Sequence, residues 1–148
     1  MSIDPKLWGN AFWSTLHHVA AGYNDHPSLG ARQVMTNFIQ SIPVLLPCAE
    51  CQDHAFDYIG RADLDRVVSS RRQLFLFFFN FHNHVNARLN KPQLAAKTVF
   101  QRYRVPFDGE AAAATTEPPF HWSPWLTTAL AVILVVVVAG IGHRSRFK

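Results

Sequence analysis

The sequence predicts an all-α fold of four helices plus a short fifth, followed by a single apolar span at the C-terminus. Two observations carry this. Between residues 5 and 103 apolar side chains recur at intervals of three and four, and no alternation of strands with helices appears. From residue 108 the composition changes, first to a linker and then to a long uncharged run. At 148 residues the chain can build one packed core plus an appendage.

Composition narrows the class. Twelve Phe and four Trp against only 16% charged residues imply a very apolar interior or a large flat group to pack against. The formal charge of +4 comes from 14 Lys and Arg against 10 Asp and Glu, gathered in short clusters such as Arg71-Arg72 and the extreme C-terminus. No dense basic face with interleaved aromatics results, so nucleic acid is not an expected partner. Two cysteines are too few for a disulfide-stapled secreted scaffold.

Residues 1 to 20 lack the charged start, continuous apolar core and small-residue site of a signal peptide, so the N-terminus is expected within the mature fold. Asp4-Pro5 can cap and open the first helix, where Leu7, Trp8, Ala11, Phe12, Thr15, Leu16 and Val19 recur at helical spacing. Trp13 and His17 share one face of it, beside Gly9, whose missing side chain leaves room for a bulky neighbour. Alone, this face also reads as ordinary core packing. After a polar loop from Tyr23 to Gly30, Val34, Met35, Phe38, Ile39, Ile42 and Leu45 mark a second helix ending at Pro43 or shortly after.

Pro47 is then expected in the first turn of a third helix that continues through His54, Ala55, Tyr58 and Ile59 to Gly60. That places Cys48 and Cys51, the two cysteines of the chain, near a helix start. Cys-x-x-Cys there suits a redox pair, because the partial positive charge of the helix N-terminus favours a thiolate. The same spacing also opens zinc sites completed by further Cys or His, and spacing does not choose between the two.

Residues 61 to 72 read as a solvated connection. Leu74 to Phe81 contain one polar residue in eight, which fits a buried strand or a buried helix. His82, Val85, Asn86 and Leu89 extend the stripe of Phe75, Phe78 and Phe79, so 72 to 90 is predicted to be one buried helix. His82 and His84 stand roughly 200° apart on such a helix and cannot both reach one metal, although His54 with one of them could. Pro92 is expected to start a last short helix through Ala95, Ala96, Val99, Phe100 and Tyr103, stopped by Pro106 and Gly109.

The predicted organisation is a domain at 1–107, a linker at 108–121, a membrane span at 122–142 and a basic tail at 143–148. The span carries no charge, begins with Trp122 and Trp125 as interfacial aromatics, and has the roughly twenty residues needed to cross hydrocarbon. A span at the C-terminus without an N-terminal signal leaves the large domain in the cytosol, whereas the basic tip argues for the opposite orientation. The cytosolic placement is preferred because the tip is short.

Three motifs in this order and spacing resemble the Erv/ALR family of FAD-linked sulfhydryl oxidases, and within it the small viral members such as those of iridoviruses. They are Trp8-Gly9 through Trp13 and His17, then Cys48-Ala49-Glu50-Cys51, then His82-Asn83-His84-Val85-Asn86 with Leu89 and Lys91-Pro92. The resemblance spans about residues 5 to 104 and implies a four-helix bundle with a short fifth helix, a non-covalent FAD and a homodimer. It implies that Cys51 lies against the flavin while Cys48 faces solvent and exchanges with substrate, and that Gly9, Trp13 and His17 line the ring. His82, Asn83, Val85, Asn86, Leu89 and Lys91 would hold the isoalloxazine and adenine nucleotide, with Tyr103 near the adenine.

The implied reaction transfers electrons from protein dithiols through the cysteine pair to FAD and on to molecular oxygen, giving hydrogen peroxide, in a viral disulfide-forming pathway. No metal takes part in it. The chain lacks the second, shuttle Cys-x-x-Cys of many cellular relatives, so substrate thiols must reach Cys48 directly or through a separate thioredoxin-like carrier. It also departs from the family at Asn10, where many relatives carry a basic residue, and at Phe100 to Tyr103, which lack the usual tryptophans. A membrane-anchored zinc-binding or scaffold protein, using Cys48, Cys51 and histidines structurally, is the alternative in another class.

Overall fold

The computed structural model describes residues 3–107. They form six helices: α1 Pro5–Ala21, α2 Leu29–Leu45, α3 Ala49–Gly60, α4 Leu64–Val67, α5 Arg71–Arg88 and α6 Ala96–Arg102, with no strand among the described residues. The extra element is α4, a single turn in the segment expected to be an exposed connection. Asp63 caps it by accepting from the Arg66 amide, and it delivers Val68 into the core, 1% exposed. Leu64, Val67 and Val68 fall within a single charged turn, too short a stretch to show a period.

The local chemistry of the other helices explains their ends. Asp4 accepts from the Lys6 amide with Pro5 at the first position of α1, and Ser28 and Ser70 cap α2 and α5 in the same manner. Pro43 sits in the last turn of α2, where it cannot donate to the Ile39 carbonyl, and the helix ends two residues later. Pro47 lies outside α3, which is capped instead by Cys48. Pro92 likewise precedes α6 without starting it. Residues 91–95 are non-helical because the Asn83 side chain takes both polar groups of Leu94, accepting from its amide at 2.7 Å and donating to its carbonyl at 3.1 Å.

The α5 helix is the hub. Leu74, Phe75, Leu76, Phe77, Phe78, Phe79 and Phe81 are all buried, so its first half is covered on every side, which explains why that run showed no single apolar stripe. Trp13 and His17 of α1 meet Phe81 and Phe75, while Tyr58 of α3 meets Phe77 and Phe81 and Glu50 at the start of α3 meets Arg88, so α1 and α3 both run antiparallel to α5. Phe100 of α6 packs edge-on against Phe75 and Phe79. Both α5 and α6 end in a left-handed residue, Asn90 and Arg104, with paired bonds from Lys91 to Asn86 and Asn90 to Ala87, and from Val105 to Phe100 and Arg104 to Gln101. No helix among the described residues is long and apolar enough to cross a membrane, and the linker, span and tail at 108–148 lie outside them.

Candidate redox site

Cys48 and Cys51 are joined to each other, with their Cα atoms 5.1 Å apart. Cys48 has extended backbone geometry just ahead of α3, and its Sγ accepts from the Cys51 amide at 3.3 Å, taking the role that Ser or Asp plays at other helix starts. The helix N-terminus thus acts on the Cys48 sulfur most directly. Cys48 is 8% exposed and Cys51 is half-buried against the core, the reverse of the exposure order that the resemblance implied. The N-terminal segment lies close by, with the Ile3 amide donating to the Pro47 carbonyl and Trp8 Nε1 donating to Ile3.

Two contacts fix this helix start relative to α5. Tyr58, two turns past Cys51, stacks on Phe81 at 4.6 Å and approaches His84 at 5.0 Å. Glu50, between the cysteines, pairs with Arg88 Nη1 at 2.6 Å. The disulfide is therefore held toward the C-terminal half of α5, the part that carries the histidine and asparagine residues singled out in the sequence.

On the α1 side of that half, four predicted residues converge. Trp13 and His82 stack with centroids 4.2 Å apart and planes 5° from parallel. His17 Nε2 and His82 Nδ1 are 3.3 Å apart, so one donates to the other, and the Tyr103 ring lies 5.1 Å from His17. Burial, followed by the neighbouring His82 charge, lowers the His17 pKa to about 4; burial, followed by Lys91, lowers that of His82 to about 4. Both rings are neutral near pH 7. Whichever ring donates, His17 Nδ1 remains buried without a hydrogen-bond partner.

The other predicted residues occupy varied places. A Cβ at Gly9 would meet nothing within 4 Å, so that flank of α1 is open. Val85 is half-buried against the core, Asn86 is buried, and Leu89 is exposed at the end of α5. Asn83 is committed to Leu94, so its contribution to this region is to hold the 91–95 segment. Lys91 is exposed, and its charge reaches His82. Sequence reasoning missed the Glu50–Arg88 pair and the edge contact of His18 on Tyr103. Glu50 and Arg88 are 38 positions apart, and no short spacing signals such a pair.

The metal alternative finds little to stand on. Both sulfurs are in one disulfide, His82 faces Trp13 while His84 faces Tyr58, and His54 stands 3.6 Å from Glu50. Among the described residues no three His, Cys, Asp or Glu side chains converge.

Residues 10–104 match the Erv1 / Alr family. Protein 347L of Invertebrate iridescent virus 6 is 42% identical over 107 residues, covering 69% of this chain and 96% of its own length. The FAD-linked sulfhydryl oxidase of African swine fever virus (isolate Tick/Malawi/Lil 20-1/1983) is 40% identical over 88 residues, covering 57% of this chain and 69% of its own. Among solved structures, the FAD binding domain of Erv1 from Saccharomyces cerevisiae superposes with a TM-score of 0.65 at 28% identity, over 72% of this chain and 99% of that one.

Proposed function

The chain belongs to the Erv1 / Alr family, and on that premise we propose that it is an FAD-linked sulfhydryl oxidase that forms disulfides in protein substrates. The observation that carries the reading is a lone Cys48–Cys51 disulfide at a helix start, fixed to the same half of α5 as the Trp13, His17 and His82 cluster. The residues present fit a flavin. Trp13 and His82 offer flat aromatic surface, His17 Nδ1 is an unpaired buried polar atom, Gly9 leaves α1 open, and Lys91 brings positive charge for a nucleotide phosphate.

On the roles that the family resemblance implies, and although Cys48 is the more buried of the oxidised pair, a substrate thiolate attacks Cys48 Sγ, a substrate–Cys48 disulfide forms, and Cys51 Sγ departs with the electron pair of the broken bond. A second substrate thiolate then attacks its partner sulfur in the mixed disulfide, releasing oxidised substrate and leaving Cys48 reduced. Cys48 departs onto the Cys51 amide, which favours its thiolate. FAD, when bound, supplies a two-electron acceptor that molecular oxygen re-oxidises. Neutral His17 and His82 would bring no cation to a flavin held there, so its electrostatics would be left to Lys91 and the peptide dipoles. The Cys48→Ser and Cys51→Ser variants should both lose dithiol-dependent oxygen consumption, with Cys48→Ser still carrying flavin. Full turnover in either variant would refute the assignment.

The assembly is proposed to be a homodimer, supported by the exposed Val34 and Leu45, which share one face of α2, and by Leu29 and Val44 on the same helix. Equilibrium sedimentation of the full-length chain tests this, and a monomer at micromolar concentration would refute it. Residues 122–142 are proposed as a single membrane anchor on the strength of their uncharged length, with the oxidase domain facing the cytosol. Full protection of that domain from protease in sealed vesicles would reverse the orientation. Substrates are proposed to be protein dithiols, reached directly or through a thioredoxin-like carrier, because the chain has no second cysteine pair.

A further inference from the structure

Glu50 lies between the two cysteines in the first turn of α3, and its Oε1 accepts from Arg88 Nη1 of α5 at 2.6 Å. His54 Nε2 stands 3.6 Å from the same oxygen. The two ends of the ion pair differ in setting: the Arg88 side chain is 24% exposed, with its Nε buried and unpartnered, while that of Glu50 is 72% exposed. Drawing a guanidinium out of water toward an exposed carboxylate brings little stability, since desolvation offsets the attraction. The position of the pair suggests a different use. A carboxylate within a Cys-x-x-Cys loop opposes ionisation of either thiol, whereas a cation beside it cancels that opposition.

We propose that Arg88 is a positioning residue that neutralises Glu50 and thereby sets the acidity of the Cys48 and Cys51 thiols once the disulfide is reduced. The inference rests on the redox reading above and deepens it. Among the described residues, the other charged groups on the elements around the loop are few. On α3 itself there are exposed Asp53 and half-buried His54; on the N-terminal segment tied to Pro47 there are Asp4, which caps α1, and Lys6; beyond Arg88, Lys91 stands near His82. Reduction by glutathione breaks the Cys48–Cys51 bond, consumes two glutathione thiols, and yields one glutathione disulfide and two cysteine thiols. Ionisation of a cysteine thiol then releases one proton, so a group that favours the thiolate also favours the reduced pair.

The test uses the full-length chain with its cofactor. Thiol acidity is read from the pH dependence of iodoacetamide alkylation of the reduced protein, and the equilibrium constant for reduction is read in glutathione buffers. Glu50→Gln should raise both thiol acidity and the constant, and Arg88→Met should lower both, each by about threefold, the effect of a unit charge about 7 Å away in a water-like dielectric. Arg88→Lys, which keeps the charge, should stay close to the unmodified chain. A mere strut between α3 and α5 predicts shifts of the same sign for Glu50→Gln and Arg88→Met, since each breaks the same pair. Same-sign shifts, or none, overturn the proposal. If Arg88→Met does not fold, the sign of the Glu50→Gln shift decides alone. These readouts do not require oxidase turnover: an unmodified chain that leaves dithiols unoxidised speaks against the proposed function, and the sign of the thiol shifts speaks only to Arg88.

Discussion

His17 and His82 are neutral because burial withdraws their charged forms from water, which lowers each pKa from 6.5 to about 4. The sign of the pH effect follows. An unfolded histidine takes up its proton near pH 6.5 and the folded ones only near 4, so unfolding binds extra protons between those values. The stability that the neutral pair contributes is fully present above about pH 6.5 and is lost as pH falls toward 4. Thermal melts should therefore show a steeper loss of Tm from pH 7 to pH 5 in the unmodified chain than in His82→Gln, which has one fewer such group. Parallel pH dependence in the two proteins would contradict the neutral assignment. Sequence spacing placed Trp13 and His17 on one face, and the stripe on α5 included His82. The contact between the two histidines spans 65 positions, so only packing around α5 reveals it.

At the scale of elements, Asn83 fixes how the chain leaves α5. Its amide group serves both the N–H and the C=O of Leu94, replacing the partners that a helix from Pro92 would have given them. Asn83→Ala should cost about 1–3 kcal/mol in urea unfolding, because two partly buried backbone groups lose their partner. It should also raise the hydrogen-exchange rate of the Leu94 amide without affecting amides within α3. Unchanged exchange at Leu94 would show that the segment is held by something else. Helix existence was legible from apolar spacing, and helix ends were legible where a side-chain cap sits beside the helix, as at Asp4. The start of α6 was not, since Ala95 makes no capping bond and the determinant is Asn83, eleven residues upstream of the Leu94 that it holds. The start of α3 falls after Pro47 rather than at it for a related reason: a cysteine sulfur accepts the capping bond at Cys48, and cysteine is not among the usual capping residues.

For the whole described domain, the arrangement concentrates its chemistry around one half of one helix. The first half of α5 is phenylalanine packed on all sides, and the second half meets the aromatic and histidine cluster from α1 and the disulfide-bearing start of α3. The all-helical architecture could be read from periodicity because the apolar faces of α1, α2 and α3 each repeat at three and four. The identity of the cysteine pair could not be read from its spacing alone. It required the neighbours that folding supplies: the disulfide at the start of α3 and the histidine cluster of α1 and α5 meet the same half of α5. The most direct test is an anaerobic titration of the purified full-length protein with a small dithiol, following flavin absorbance in the unmodified chain and in the Cys48→Ser, Cys51→Ser double variant. The account predicts a yellow protein whose flavin bleaches with dithiol in the unmodified chain and stays oxidised in the double variant. A colourless protein, or equal bleaching in both, would contradict it.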